Sequence, residues 1–276
     1  MTDKAQVLHD LHVAGRPLAL ANAWDVASAR IVEDAGASAI ATTSAGAAWS
    51  FGAADGVRFD RDRAIDLVAR VVAAVRVPVT ADIESGYGRT PDDVAETVRR
   101  ILEAGAVGIN LEDARYDEGP ALRSINDQCE RIAAARGAAE AAGVRLFLNA
   151  RTDPYLRAVG KPADRLRDTL DRAAAYVAAG ADGIFVPGVT DPAIVAELAG
   201  KITVPLNILA GPGAPTVGEL ARLGVARVSL GSSVAAAAYG LVRRSATALL
   251  ADGNYPELDG GIAYAQLNDL LAERKN

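Results

Sequence analysis

Short apolar runs alternate along this chain with longer stretches whose apolar positions recur every three or four residues. The runs lie at 18–22 (LALAN), 38–42 (SAIAT), 77–82 (VPVTAD), 107–111 (VGINL), 145–150 (RLFLNA), 183–187 (GIFVP), 204–208 (VPLNI) and 226–230 (ARVSL), and each reads as a strand. Between them the spacing predicts helices over 25–35, 60–75, 91–104, 125–142, 162–179, 191–199 and 216–223. Thr90 before Pro91 is a cap followed by a first-turn proline, and Pro192 opens its helix in the same way. A weak echo recurs in "AGASAI", "AGAVGI", "AGADGI" and "LGVARV", where a helix stops at a glycine and the chain turns into a strand. Eight strands alternating with helices predict an α/β (β/α)8 TIM-type barrel, with the doubly wound sheet as the alternative.

No Pro/Gly/Ser-rich linker divides the chain, so residues 1–276 read as a single barrel domain. Residues 231–276 exceed what one barrel needs. They read as a C-terminal helical arm, expected to be exchanged between subunits of a homodimer or homotetramer rather than folded back over its own barrel.

Composition narrows the function. Half the 276 residues are hydrophobic but only 5% are aromatic, so Ala, Val, Leu and Ile must build the core, as they do where helices cover a parallel sheet. The net charge of -6 gives no basic field for a nucleic-acid partner. The charged opening residues, and the absence of a long uncharged apolar stretch, predict no membrane span and a cytoplasmic protein. A single cysteine, Cys129, excludes an internal disulfide or a thiolate cage, and two early histidines, His9 and His12, disfavour a histidine-based triad or metal site.

In a barrel of this kind the active site lies at the C-terminal ends of the strands. Those ends supply Asn22 and Asp25, Thr43 to Gly46, Asp82 and Glu84, Asn110 with Glu112 and Asp113, Asn149 with Arg151 and Asp153, Asn207, and Ser229 with Gly231 to Ser233. Each has an ordinary reading as a cap, a solvated strand end or a local ion pair. Together they crowd several acids around Arg151, the one cation evident at a strand end, and Mg2+, or Mn2+, is the natural counter-charge.

These residues carry a resemblance. "TADIESGYG" resembles the D-x-[DE]-x-G-Y-G signature of the isocitrate lyase/phosphoenolpyruvate mutase superfamily, "INLED" its fourth-strand acid motif and "NARTD" its fifth-strand arginine. "TTSAG" falls at the substrate-binding loop, and Asp55 where the superfamily keeps an acid. The resemblance spans about residues 16–240. It implies a Mg2+ ion held by Asp82, Glu84 and Glu112, partly through water, which chelates a 2-oxo carboxylic acid. It also implies that the substrate carboxylate is gripped by Arg151 and by backbone amides of Thr43, Ser44, Ala45 and Gly46, with Asp82 and Asn207 also lining the substrate. Arg151, Asp55, Tyr87 and Glu112 are the implied catalytic residues.

The chain departs from the known branches in its proton-handling half. The K-[KR]-C-G-H loop of the lyases is missing, and Cys129 lies inside a predicted helix. Ala114 replaces the lysine that follows the acid pair in the mutases, Gly188 replaces a lyase glutamate, and Ala41 stands where a substrate-stacking aromatic is found. The expectation is therefore a Mg2+-dependent carbon–carbon lyase or decarboxylase of a small 2-oxo or 2-hydroxy carboxylic acid, acting through a metal-stabilised enolate. Oxaloacetate-type decarboxylation is favoured because it needs no cysteine acid. Tyr87, Tyr116, Asp117 and Glu118 are the candidate proton donors. The alternatives are a 2-oxo-acid-binding protein with little turnover, a phosphonopyruvate- or phosphoenolpyruvate-type phosphonate enzyme, and a phosphate-ester isomerase using "LAGPG" and "LGSS".

Overall fold

The computed structural model describes residues 2–56, 60–116 and 121–272. Eight parallel strands form one sheet: β1 (Leu18–Leu20), β2 (Ile40–Ala41), β3 (Val79–Asp82), β4 (Gly108–Glu112), β5 (Phe147–Arg151), β6 (Gly183–Val186), β7 (Leu206–Leu209) and β8 (Arg227–Ser229). Each pairs with its sequence neighbour, and β8 pairs with β1. Between β1 and β2 the ladder is reduced to a single parallel bridge, Ala23 to Thr42, which closes the barrel.

The helices are α1 (Thr2–Asp10), α2 (Val26–Asp34), α3 (Ser44–Ser50), α4 (Arg61–Ala74), α5 (Pro91–Glu103), α6 (Ile125–Ala141), α7 (Arg165–Ala178), α8 (Pro192–Lys201), α9 (Val217–Arg222), α10 (Ser233–Asp252) and α11 (Tyr264–Ala272). All eight predicted strands are present, and the predicted helices differ from those observed only near their ends. The largest such difference is at 162–164, where a 3-10 turn precedes α7. Caps explain the starts: Thr90 accepts from the Asp93 amide and Asp93 answers at Thr90 N, while Asp191 accepts from Ala193 and Ile194.

Two apolar layers result. Ala, Val, Leu and Ile from the outer strand faces and α2 to α9 form the main core, with Val98, Ile101, Ile132 and Ile184 fully buried. A smaller cluster fills the lower barrel, where α1 inserts Ala5 and Leu8 against Leu18, Leu20 and Phe147. His12 belongs to this plug: it stacks on Phe147 at 3.7 Å, and burial together with Arg227 brings its pKa down to about 3. It is a packing residue, as the sequence suggests. In the tail, α11 lies against α2, and the Leu270 carbonyl accepts from Arg30 Nη2 at 2.7 Å. No helix among the described residues is long and apolar enough to cross a membrane.

Candidate active site

The strand ends gather the acids, and alternation along β4 separates two that are adjacent in sequence. Glu112 faces the barrel axis, while Asp113 turns outward into the helical layer. There Asp113 Oδ2 accepts from Thr152 Oγ1 (2.9 Å), Tyr176 OH (2.8 Å) and Arg172 Nη1 (3.0 Å), and Oδ1 accepts from the Asp153 amide (3.0 Å). Asp113 is thus a framework carboxylate and not a rim acid. Asp25 likewise leaves the rim, as the N-cap of α2. Arg151 is also not the one cation near the strand ends: Arg172 stands behind them on Asp113, Arg157 lies over the Tyr116 ring, and Arg227 lies inside the barrel.

Arg151 forms the centre of the remaining set. Its Nη1 pairs with Glu112 Oε2 at 2.6 Å, and its Nε and Nη2 hold Asp153 at 2.7 and 2.8 Å. The two-pronged contact fixes the guanidinium plane. Glu112 Oε1 accepts from Tyr116 OH at 2.5 Å. Asp82 Oδ2 accepts from both the amide and the hydroxyl of Ser44, at 3.1 and 2.8 Å, and the Asp82 amide donates to Thr42 Oγ1.

The "TTSAG" segment is not a loop. Thr43 caps α3, so Ser44, Ala45 and Gly46 form the first turn of a short helix with their amides directed outward from its start. A side chain at Gly46 would come within 2.8 Å of Thr43 and of Trp24, which is why glycine is needed there.

Glu84 is buried in the left-handed region at φ 50, as is its half-buried neighbour Tyr87 at φ 53. Non-glycine residues rarely adopt this conformation, which stores strain where it occurs. The Glu84 carbonyl accepts from the Glu112 amide at 2.9 Å, so the turn after β3 is tied to β4. Asp55 sits exposed at the rim, its carboxyl pushed up by partial desolvation and by the Asp82 charge. Burial and the surrounding acids hold the Tyr87 hydroxyl protonated well beyond its usual range. Asn207 lies inside the barrel, accepting from Ser229 Oγ at 3.2 Å, with its Nδ2 unpartnered. Beneath the acids, fully buried Arg227 donates to Asn110 Oδ1 at 3.3 Å, and burial lowers it to about 10. Of the candidate proton donors, Asp117 and Glu118 lie outside the described residues.

Asp82 Oδ1 and Glu84 Oε1 are buried and lack hydrogen-bond partners. Buried carboxylate oxygens without donors are costly, and a hard cation is the partner that suits them. Among the described residues no three acidic, histidine or cysteine side chains converge as direct ligands, since Arg151 and Tyr116 occupy Glu112. The donor set fits a cation that touches few side chains and keeps several waters, as Mg2+ does.

The acids' protonation gives a testable pH dependence. Burial, with the charges of Asp82, Glu112 and Asp55, pushes Glu84 up to about 8 from 4.5. Burial, partly offset by Arg151, pushes Glu112 up to about 7. Both bind protons more tightly in the folded chain than in the unfolded one, so stability falls as pH rises from about 4.5 and levels off above about 8. A divalent cation competes with protons over the same window. The Tm of the cation-free protein should fall across it, and the Tm gain on adding Mg2+ should be larger at about pH 8.5 than at about pH 6. A gain independent of pH would remove Glu84 and Glu112 from the cation site.

Two sequence departures find structural reasons. Gly188 has φ +83, and a Cβ there would come within 2.6 Å of the Leu156 backbone, so the turn after β5 occupies the space a side chain would need. Gly188→Ala should destabilise the fold by about 2–3 kcal/mol, read by urea denaturation. An unchanged midpoint would mean that the turn yields freely. Cys129 lies on α6, half-buried, with its Sγ near the Ala175 carbonyl at 3.5 Å and its thiol pushed up by burial. It packs, and is no acid for catalysis. Near the "LGSS" segment, the Gly231 amide is already donated to Asn22 at 2.9 Å, which weakens a phosphate cradle there.

The eight-stranded barrel belongs to a class of lyases and mutases. Residues 8–250 match the phosphoenolpyruvate phosphomutase family, and the chain belongs to this family, within the phosphoenolpyruvate mutase/isocitrate lyase superfamily. An uncharacterized protein of Mycobacterium tuberculosis (strain H37Rv) is 40% identical over 270 residues, 97% of each chain. The oxaloacetate decarboxylase of Rhodopseudomonas palustris (strain TIE-1) is 32% identical over 214 residues, 73% of this chain and 69% of that one. Among solved structures, a Burkholderia cenocepacia J2315 protein provisionally described as a lyase/mutase superimposes with a TM-score of 0.91 at 39% identity, covering 98% of this chain and 96% of that one. A phosphonopyruvate hydrolase in complex with oxalate and Mg2+ gives a TM-score of 0.83 at 25% identity, covering 98% and 95%.

Proposed function

We propose that this chain is a divalent-cation-dependent carbon–carbon lyase that acts on a small 2-oxo or 2-hydroxy carboxylic acid, with decarboxylation of an oxaloacetate-like acid as its favoured reaction. The observation that carries the reading is the pair of buried, unpartnered oxygens, Asp82 Oδ1 and Glu84 Oε1, beside Glu112 and Arg151. The similarity to an oxaloacetate decarboxylase and to a hydrolase bound to oxalate and Mg2+ supports it. Asp82, Glu84 and Glu112, partly through water, would hold the cation. Bound there, a divalent cation supplies Lewis acidity that favours negative charge on the substrate's keto oxygen.

The chain's own residues supply the rest. Arg151, its plane fixed by Asp153, would offer its guanidinium to the substrate carboxylate, and the Ala45 amide in the first turn of α3 is a further donor, whereas the Gly46 amide is already given to Thr43 Oγ1. When the bond to the departing carboxylate breaks, its electron pair stays on the remaining carbons as an enolate. A proton must then reach carbon. Tyr116 and Tyr87 carry phenolic hydroxyls beside the acids, and both stay protonated through the neutral range because burial and acidic neighbours raise them.

The test is calorimetric titration of oxaloacetate, pyruvate and 2-oxoglutarate with and without Mg2+, each mixture being assayed for product. Mg2+-dependent binding with release of carbon dioxide supports the lyase. Binding without product supports a sensor instead, and turnover of phosphonopyruvate in its place would move the chain to phosphonate chemistry. The apolar residues that α10 and the tail expose, among them Val242, Leu250 and Tyr264, support a homo-oligomer. Light scattering should give a dimer or tetramer, and a monomer at micromolar concentration would refute that assembly.

A further inference from the structure

The turn after β5 brings a second guanidinium to the acid cluster. It is closed by Arg157 N donating to Asp153 O (3.0 Å) and Ala158 N to Tyr155 O (3.1 Å), with Ala158 at φ 52. The close approach of Leu156 to Gly188 fixes where it sits. From this turn the Arg157 guanidinium lies over the Tyr116 ring, 4.8 Å from its centroid, and the Tyr116 hydroxyl rests on Glu112. Arg157 is therefore one side chain away from the centre of the site.

Among the described residues its charge is only loosely paired. Its ion-pair partner there is Asp153, whose Oδ2 lies 3.5 Å from Arg157 Nε without forming a hydrogen bond. Asp153 is already committed, both oxygens being held by Arg151 at 2.7 and 2.8 Å. Arg157 Nη1 reaches only the Arg115 carbonyl at 3.4 Å, and the buried Nε makes no hydrogen bond. The side chain is about a quarter exposed, at 26%, so it borders the mouth rather than open solvent.

We propose that Arg157 is a specificity-determining residue that binds the distal carboxylate of a 2-oxo dicarboxylic acid whose 2-oxo end lies at Asp82, Glu84, Glu112 and Arg151. This rests on the 2-oxo acid reading of the site. Two carboxylates then meet two guanidiniums. Arg151 is locked by Asp153 and takes the carboxylate beside the keto group, while the distal carboxylate is the one that an oxaloacetate-like acid loses as carbon dioxide. Arg157 is stacked on Tyr116 with its buried Nε turned to Asp153 and its Nη1 to the Arg115 carbonyl, and its Nη2 end, which makes no hydrogen bond among the described residues, is the donor left for a carboxylate. Pyruvate, which has no distal carboxylate, and oxalate, which ends at two carbons, would not engage it. The site is thereby selective for longer dicarboxylates over pyruvate-sized acids.

The experiment titrates 3,3-difluorooxaloacetate and oxalate, in the presence of Mg2+, into wild type, Arg157→Gln and Arg157→Lys. The expected result is binding of both by wild type, a loss of about tenfold or more for the four-carbon ligand in Arg157→Gln, and partial recovery in Arg157→Lys. Oxalate affinity should stay within about twofold throughout. Parallel weakening of both ligands would overturn the proposal, because Arg157 would then act through Tyr116 and Glu112. Unchanged binding of the four-carbon ligand would place its distal carboxylate elsewhere and overturn it too. If wild type binds no oxalate with Mg2+, the 2-oxo acid reading itself falls and takes this assignment with it. Binding of oxalate without difluorooxaloacetate would overturn the dicarboxylate assignment alone.

Discussion

Asp82→Asn is expected to lower kcat/KM for a 2-oxo acid on the order of a thousandfold while leaving the fold intact. The substitution is nearly isosteric, and an amide oxygen can still accept from the Ser44 amide and hydroxyl that hold Oδ2 at 3.1 and 2.8 Å. What disappears is the charge on the unpartnered Oδ1, the atom best placed to meet a cation. Loss of several kcal/mol of electrostatic stabilisation corresponds to about three powers of ten in rate. The measurement is steady-state kinetics together with a Mn2+ titration followed by electron paramagnetic resonance. Full cation affinity in the variant would remove Asp82 from the cation site, and a lowered urea midpoint would turn the effect into one of folding.

Asp113→Asn is the substitution expected to cost the most stability. The carboxylate is fully buried and accepts from Thr152, Tyr176, Arg172 and the Asp153 amide. Asparagine offers one oxygen where two are in use and leaves the Arg172 charge without its buried partner. Breaking such a pair from one side costs about 3–5 kcal/mol. Urea denaturation should show a loss of that size, and a change under about 1 kcal/mol would mean that Asp168, which already pairs with Arg172 at 3.1 Å, is enough for its charge. Because Asp153 both donates to Asp113 and orients Arg151, the folded fraction should also bind 2-oxo acids less tightly.

The barrel itself was legible because each strand is a compact apolar run and each helix carries a cap or a terminating glycine. Glu112 and Asp113 show where legibility stopped. As neighbours in "INLED" they look alike, and only the period-two alternation of a strand, extended one residue past its end, separates the inward acid from the outward one. The partners of Asp113 are not readable in sequence, since Arg172 and Tyr176 come from a helix about sixty residues further on. The loop expected at "TTSAG" rests on the resemblance, and the segment is instead the start of a helix. Its Thr43 cap before "SAGAAWS" was the available sign of a helix. Arg157 carries no local signal, because its placement depends on Gly188 leaving room for the turn that presents it.

The seam between β1 and β2 gives the barrel an uneven mechanical strength. Elsewhere neighbouring strands are laced over two to five residue pairs, as between β4 and β5, but here one bridge at Ala23 and Thr42 joins strands of three and two residues. Local opening requires the fewest broken bonds at such a joint. Thr43 and Ser44 follow it directly, so the same hinge that is cheapest to open carries the side of the mouth that grips Asp82. Opening along that one stave, which breaks the Ala23, Thr43 and Asn22 bonds across it, would leave intact the wall formed by β4 and β5, which bears Glu112 and Arg151.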